Sequence, residues 1–217
     1  MKLLKIGTLT IAMFILVLGL YEWLQVEGAL SKTEKIKEQY LNDRTLTLNK
    51  IPKDWVDILI KIEDPNFYKH DGIDFQTPGA GLTTITQGLT KKMYFEEFKP
   101  GFEKIEQSLI ARFVVNEKFT KDEQLAIFFN IAYLGHFEGR KVTGFTEASQ
   151  IYFNSEFEQL SRDQFLSLIA MLVAPNSLNV KNNPKENAER VKRVIKVLEG
   201  TYLPNSLTDI YYDREDA

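Results

Sequence analysis

Between residues 62 and 74 the chain reads Ile-Glu-Asp-Pro-Asn-Phe-Tyr-Lys-His-Asp-Gly-Ile-Asp, which packs a carboxylate pair, an aromatic pair, a histidine and a glycine turn into one short segment. A carboxylate that moves a proton during a reaction needs a partly apolar wall to raise its pKa and a neighbour to orient it. Glu63 has Ile62, Phe67 and Tyr68 for the wall, and Asp64, Lys69 or His70 as partners. The same residue types also suit a solvated helix end running into a turn, and type alone leaves both readings open.

A second group of candidates could handle phosphate. Lys104, Ser108 and Arg112 recur every four residues on one helical row, with Gln107 and Ala111 beside them. Lysine and arginine on one line can grip a diphosphate, and a solvated face is the competing reading. Thr84 and Gln87 have capping-box spacing, and a helix N-terminus with free hydroxyls and amides is also a cradle for an oxyanion. His70 and His136 are too far apart for a recognisable metal motif, and the absence of cysteine excludes disulfides and thiolate metal sites.

The elements that must position these groups are helices. Trp55, Ile58, Leu59 and Ile62 fall at i, i+3, i+4 and i+7, so a helix opened by Pro52 and closed by Pro65 carries Glu63 in its last turn. Ile85, Leu89 and Met93 make the stripe of the next helix. A helix from about residue 102 to 116 follows, with Phe102, Ile105, Leu109 and Phe113 as its expected buried stripe. Thr120 with Glu123 and Ser161 with Gln164 cap two more helices. The first buries Leu125, Phe128, Phe129 and Ala132 and stops at Gly135; the second buries Phe165, Leu168, Ile169 and Leu172 and stops at Pro175. Asn183 is the expected cap of a last helix that buries Ala188, Val191, Ile195 and Leu198 and ends at Gly200. Leu46, Leu48 and Ile51 alternate with polar residues as a short extended piece would. The fold class is mainly α, with hardly any strand pattern.

The 217 residues suit one domain plus an appendage, and a net charge of -3 gives no reason to expect nucleic acid. From residue 6 to residue 21 the chain is uncharged and mostly Leu, Ile, Val, Met and Phe, close to the ~20 residues that cross a bilayer. Lys2 and Lys5 precede this stretch and Glu22 and Glu27 follow it, which puts the N-terminus inside the cytoplasmic membrane and the remainder outside. An uncleaved single-pass anchor is favoured over a signal peptide, for want of a good cleavage site. The expected division is an anchor over 1–25, a stalk over 26–49, a domain over 50–204 and a polar tail over 205–217, the tail expected to be disordered.

Glu-Asp-x-x-Phe-x-x-His-x-Gly-x-Asp, beginning at Glu63, resembles the first signature of the family 51 glycosyltransferases. These are the peptidoglycan transglycosylases, which polymerise lipid II alone or as one domain of a class A penicillin-binding protein. Thr84, Ile85, Thr86, Gln87 and Leu89 match the second signature, Thr83 stands for its serine and Lys91 for its lysine; Leu82, Gly88 and Lys92 depart from it. Lys104 and Ala111 fit the third signature counted from Lys91, but Glu103 stands for its arginine and Gln107 for its glutamate. Counted back from Phe119, the glutamate position is Ser108, so the registers differ by one residue, as a bulge or insertion would make them. Asn130, Tyr133 and Gly135, then Gly144, Glu147, Ala148, Tyr152 and Phe153, resemble the following signatures, and both stretches are read as core.

The resemblance implies a lysozyme-like transglycosylase domain, monofunctional, with Glu63 as general base. It implies substrate contacts from Asp64, Phe67, His70, Thr83, Thr84, Gln87, Lys91, Lys99, Lys104, Gln107 and Arg112. Lys91, Lys104 and Arg112 would face the lipid diphosphate, with Lys99 or a divalent metal, Mg or Mn, as further candidates. Its implied partners are lipid II, the growing glycan chain, the cytoplasmic membrane and cell-wall synthesis proteins. Loss of the second family glutamate motivates one alternative, an impaired relative that binds lipid II or cell-wall partners as a scaffold. A hydrolase using Glu63 as general acid, with Asp74 or Glu106 as second carboxylate, is the other.

Overall fold

The structure, a computed structural model, describes residues 2–42 and 45–214, with the side chains of the first helix described from residue 7 onward. The side chains of Lys2 and Lys5, on which the orientation reading rests, lie outside the described residues. The chain is mainly helical. Helix α1 (Lys2–Tyr40) is followed by a short 3-10 turn over Leu48–Lys50, where an extended piece was expected, and then by α2 (Lys53–Glu63) and α3 (Ile85–Tyr94). Helix α4 (Phe102–Ile110) runs on through a π turn (Ala111–Val115) and a last α turn (Asn116–Lys118). Helix α5 (Lys121–Ile131) leads into strands β1 (Tyr133–Phe137) and β2 (Arg140–Thr143), and α6 (Phe145–Phe153), α7 (Arg162–Met171) and α8 (Pro184–Glu199) complete the described elements.

The core lies between α2, α3, α5, α6 and α7. Leu59, Phe67, Leu125, Phe129, Phe145, Phe157 and Phe165 are all fully buried, and Trp55 stacks on Phe165 with ring centres 4.5 Å apart. The capping boxes read at Thr84, Thr120 and Ser161 are all formed, each hydroxyl accepting from the N3 amide while the N3 side chain accepts from the cap amide.

Five further expectations change. The division between anchor and stalk crosses one unbroken helix: α1 is apolar enough in its first half to cross a membrane by length and composition, and Val26, Ala29 and Ile36 in its second half are buried against the domain. The stripe expected to be buried on α4 is largely open, with Phe102 68% and Phe113 51% exposed. The two-stranded antiparallel sheet was missed because Gly135 was read only as a helix stop. The sheet closes on Glu138 and Gly139, both at positive φ (51° and 77°), as a two-residue type I′ hairpin requires. On α8 the buried row is Asn187, Arg190, Val194 and Val197, one residue round from the predicted face, and Ala188 is exposed. Asn183 makes no side-chain cap there; Pro184 opens the helix.

The π turn answers the two registers of the third signature. A π turn carries one residue more than an α turn. Ala111–Val115 falls between Gln107 and Phe119, so the single extra residue is absorbed there.

Candidate active site

Glu63 ends α2 because Pro65 follows; Asp64 leaves helical geometry at φ -157°, ψ 74°. The carboxylate of Glu63 lies where two clefts meet. The first is walled by Ile62, residues 79–83, Val173 and Arg190, and by Thr208, Ile210 and Tyr212 from the segment after α8. The second is walled by Thr83, Thr84, Ile85, Gly88, Lys91, Lys92, Tyr133, Leu172 and Pro175. Their volumes, about 330 Å³ and about 370 Å³, fall in the ~300–1,000 Å³ range of small-molecule sites. Among the described residues Glu63 is the one ionisable side chain common to both.

Burial pushes the Glu63 carboxyl up to about 7, against the opposing pull of the Arg190 guanidinium and with a further push from the Asp64 charge. A carboxyl near neutrality can exchange protons with a substrate at working pH.

Several predicted site residues form the frame under these clefts. Asp64 is fully buried and accepts from His70 Nε2 at 2.9 Å and from the Ile85 amide at 2.9 Å. His70 Nδ1 accepts from the Gly72 amide at 3.0 Å, which assigns the proton to Nε2. The Thr84 hydroxyl donates to the Gly72 carbonyl at 2.7 Å, so the loop after Glu63 is tied to the start of α3. Gly72, at φ +94°, passes so close to the π turn that a Cβ would stand 2.7 Å from the Ala111 carbonyl oxygen. The Asp64 carboxylate and the Gln87 side chain thus occupy the amides of Ile85 and Thr84; these were offered as an oxyanion cradle and are not free for one.

Gln87 and Gln107 are buried as well. Gln107 Nε2 donates to the Gln87 carbonyl at 2.6 Å, and Gln87 Nε2 donates to Ser108 Oγ at 2.9 Å. The two positions that could stand for the family glutamate therefore form a neutral clasp between α3 and α4. Phe67 is fully buried, with Lys121 Nζ 4.5 Å from its ring centre.

The cations sort into two sets. Lys91 and Lys92 line the second cleft, and Lys104 Nζ donates to Thr83 Oγ1 at 3.0 Å, at the junction of both clefts. Among the described residues none of the three has a carboxylate within ion-pair distance. Burial holds Lys92 and Lys104 below the usual lysine range, with repulsion from Lys141 and Lys91 adding for Lys92 and from Lys91 for Lys104. Arg112 is held outside the clefts by Asp71 at 3.2 Å and Glu117 at 3.3 Å, and Lys99 pairs with Glu97 at 3.6 Å on the exposed surface. Neither carboxylate offered for a hydrolase lines either of the two clefts that meet at Glu63. Asp74 is bound to Thr77 and the Gln76 amide, and Glu106 lies towards Glu22 and Glu103.

Among the described residues no three histidine or acidic side chains gather as a metal site. The positions where a second acid would stand are the committed Gln107 and Ser108. The donor set does not fit a divalent ion.

Among the described residues, four ionisable cleft side chains were not among the predicted contacts: Lys92, Tyr133, Arg190 and Tyr212. Lys92 had a signal, as the neighbour of Lys91. Tyr133 was read as core. Arg190 and Tyr212 had none, because what brings them to the site is contact with Ile62 and Glu63, more than a hundred residues away in the chain.

Comparison with known proteins gives the family. A family model described as Transglycosylase matches residues 28–199. Penicillin-binding protein 1B of Escherichia coli is 31% identical over 157 residues, 66% of this chain and 18% of that protein. Penicillin-binding protein 1F of Bacillus subtilis is 29% identical over 170 residues, covering 72% of this chain and 23% of its own length. Penicillin-binding protein 1A of Rickettsia bellii is 28% identical over 192 residues, 80% of this chain and 24% of that one. The chain spans about a fifth of the length of these relatives. With residues 28–199, most of its folded part, matched by that model, the chain belongs to the transglycosylase family.

Proposed function

We propose that this protein is a peptidoglycan glycosyltransferase that polymerises lipid II into glycan strands. The observation that carries the reading is the place of Glu63, an acid titrating near neutrality where a lysine-lined cleft meets a second cleft. Glu63 acts as general base. It takes the proton from the 4-hydroxyl of the acceptor sugar as that oxygen attacks the anomeric carbon of the donor. The new carbon–oxygen bond forms on the face opposite the leaving group, the bond from that carbon to phosphate breaks, and the lipid diphosphate leaves with the electron pair. Negative charge growing on the diphosphate is met by Lys91, Lys92 and Lys104, which carry no carboxylate partner of their own. Arg112 supports the loop at Asp71 and acts through it.

The apolar half of α1 crosses the cytoplasmic membrane with its N-terminus inside, so the clefts face the outer side, where lipid-linked sugars lie within reach. Cell-wall synthesis proteins are the expected neighbours.

A second reading, a scaffold that binds lipid II without polymerising it, is favoured by one observation: Gln107 and Ser108 stand where the family carries an acid. One assay separates the two. Full-length protein in lipid nanodiscs is incubated with labelled lipid II, and separately with finished peptidoglycan. Polymer from the wild type and none from Glu63→Gln supports the polymerase. Lipid II retained without polymer supports the scaffold, and fragments released from peptidoglycan would overturn both.

A further inference from the structure

Residues 205–217 were expected to be a disordered tail; residues 215–217 lie outside the described residues, and the described part from 205 to 214 is built into the first cleft together with the segment from the end of α8. The Gly79 amide donates to the Ser206 carbonyl at 2.9 Å and the Gly81 amide to the Leu207 carbonyl at 2.8 Å. Gly79, at φ +79°, has no room for a side chain, since a Cβ would lie 2.9 Å from Pro204. Tyr202 donates to Asp209 at 2.8 Å and closes the loop on itself. The segment ends against the back of the site: Tyr212 is 3% exposed, and its hydroxyl donates at 3.0 Å to the carbonyl of Ile62, the residue before Glu63.

Arg190 faces the same ring. It is 2% exposed, and its Nε and Nη1 have no hydrogen-bond partner. Its guanidinium carbon lies 4.3 Å from the centre of the Tyr212 ring. A buried cation without full hydrogen bonding is costly to keep, and the face of an aromatic ring is what this one has for support. Arg190 and Glu63 line one cleft together.

We propose that Tyr212 is a positioning residue for Glu63, its hydroxyl fixing the last turn of α2 through the Ile62 carbonyl and its ring holding the Arg190 guanidinium beside the base. The proposal rests on Glu63 as the reacting acid. It adds a residue from outside the signature segments, carried back to the site by a strap. Burial pushes the Tyr212 hydroxyl up to about 12, so it stays a hydrogen-bond donor throughout the working pH range. The other charged or titratable groups around Glu63 are Asp64 beside it, Lys91 and Lys92 on α3, Lys104 on α4, held at Thr83, and Tyr133 on β1. None of these touches Tyr212 in a hydrogen bond, so its replacement leaves them in place.

The test is a double-mutant cycle read on Glu63 itself. The carboxyl carbon of Glu63 is titrated by NMR in full-length protein, as wild type, Arg190→Met, Tyr212→Leu and the double variant, and the pH dependence of kcat/KM for lipid II polymerisation is measured beside it. Removing the cation raises the Glu63 midpoint by roughly one pH unit. Tyr212→Leu raises it in the same direction because the guanidinium loses its support, and the double variant moves no further than Arg190→Met. A Tyr212→Leu midpoint equal to wild type, or shifts that simply add, overturns the proposal. Tyr212→Phe keeps the ring and serves where Tyr212→Leu fails to fold: it leaves the midpoint in place and lowers kcat several-fold with KM unchanged, and an unchanged kcat overturns the hydroxyl's role. The titration needs no turnover. A wild type that titrates as described but makes no polymer defeats the polymerase reading and leaves the positioning role standing.

Discussion

The two clefts that meet at Glu63 carry positive charge in opposite ways. On the α3 side, Lys91 and Lys92 are exposed and Lys104 is half-buried, all without a carboxylate partner among the described residues. On the α8 side, among the described residues, there is one cation, Arg190, 2% exposed and lodged against an aromatic ring. Water screens the first set and reaches the second poorly. Exposed lysines on flexible stems can follow a charge that appears and departs. A buried arginine cannot follow anything, but it acts at short range and through little solvent on the acid next to it. Under the proposed function, the contrast would separate groups that handle the ligand from the group that sets the state of Glu63.

The sharpest way to break that comparison is to remove the group both clefts share. Glu63→Gln is expected to lower polymerisation by ~10²–10⁴-fold, the usual contribution of a general base, measured as initial rate on labelled lipid II. Next come Lys91→Met and Lys104→Met, each expected to lower kcat/KM roughly tenfold to a hundredfold. Their residual rates should lose most of the salt sensitivity of the wild type, while the midpoint of the acid limb stays near 7, the wild-type midpoint set by Glu63. A lysine variant that moved that midpoint as far as an arginine variant would merge the two classes.

Stability gives two smaller effects. Asp64 holds both His70 and the Ile85 amide, and Asp64→Ala should cost about 2–4 kcal/mol in chemical denaturation by leaving buried donors unpaired. Glu63→Gln should act in the opposite direction. The folded pKa of Glu63 is raised from 4.5 to about 7. Protonated Glu63 therefore favours the fold fully below pH ~4.5, and that contribution is lost as pH rises through about 7. The variant should be more stable than wild type by about 1–3 kcal/mol at pH 8 and nearly equal to it at pH 4.5, read from denaturation midpoints at the two pH values.

What could be read from the sequence follows how local the physics is. The α3 cap was legible because Thr84 and Gln87 complete each other three residues apart. The end of α2, which sets Glu63, was legible because Pro65 forces it. The face of α8 was not, because an amphipathic pattern assumes that charge faces water, whereas Arg190 and Asn187 point inward to partners supplied by distant segments. The α4 stripe failed for the converse reason. Its periodicity is real, but Phe102, Ile105 and Phe113 face outward beside α1. The strap after α8 left no trace at all, since two backbone bonds to Gly79 and Gly81 and one tyrosine hydroxyl do not show in residue type. The family resemblance pointed to Glu63, but nothing in it named Tyr212.

Helix α1 passes from its apolar half to its domain-packed half with no break over Lys2–Tyr40. At about 1.5 Å per residue, such a rod has a set length. With its apolar half seated in a bilayer, as proposed, the clefts would ride at a fixed height above the lipid headgroups and could not swing on a tether. Under the proposed polymerisation a growing strand would then slide past a stationary protein, its first sugars leaving the membrane surface only as fast as the groove lets go of them.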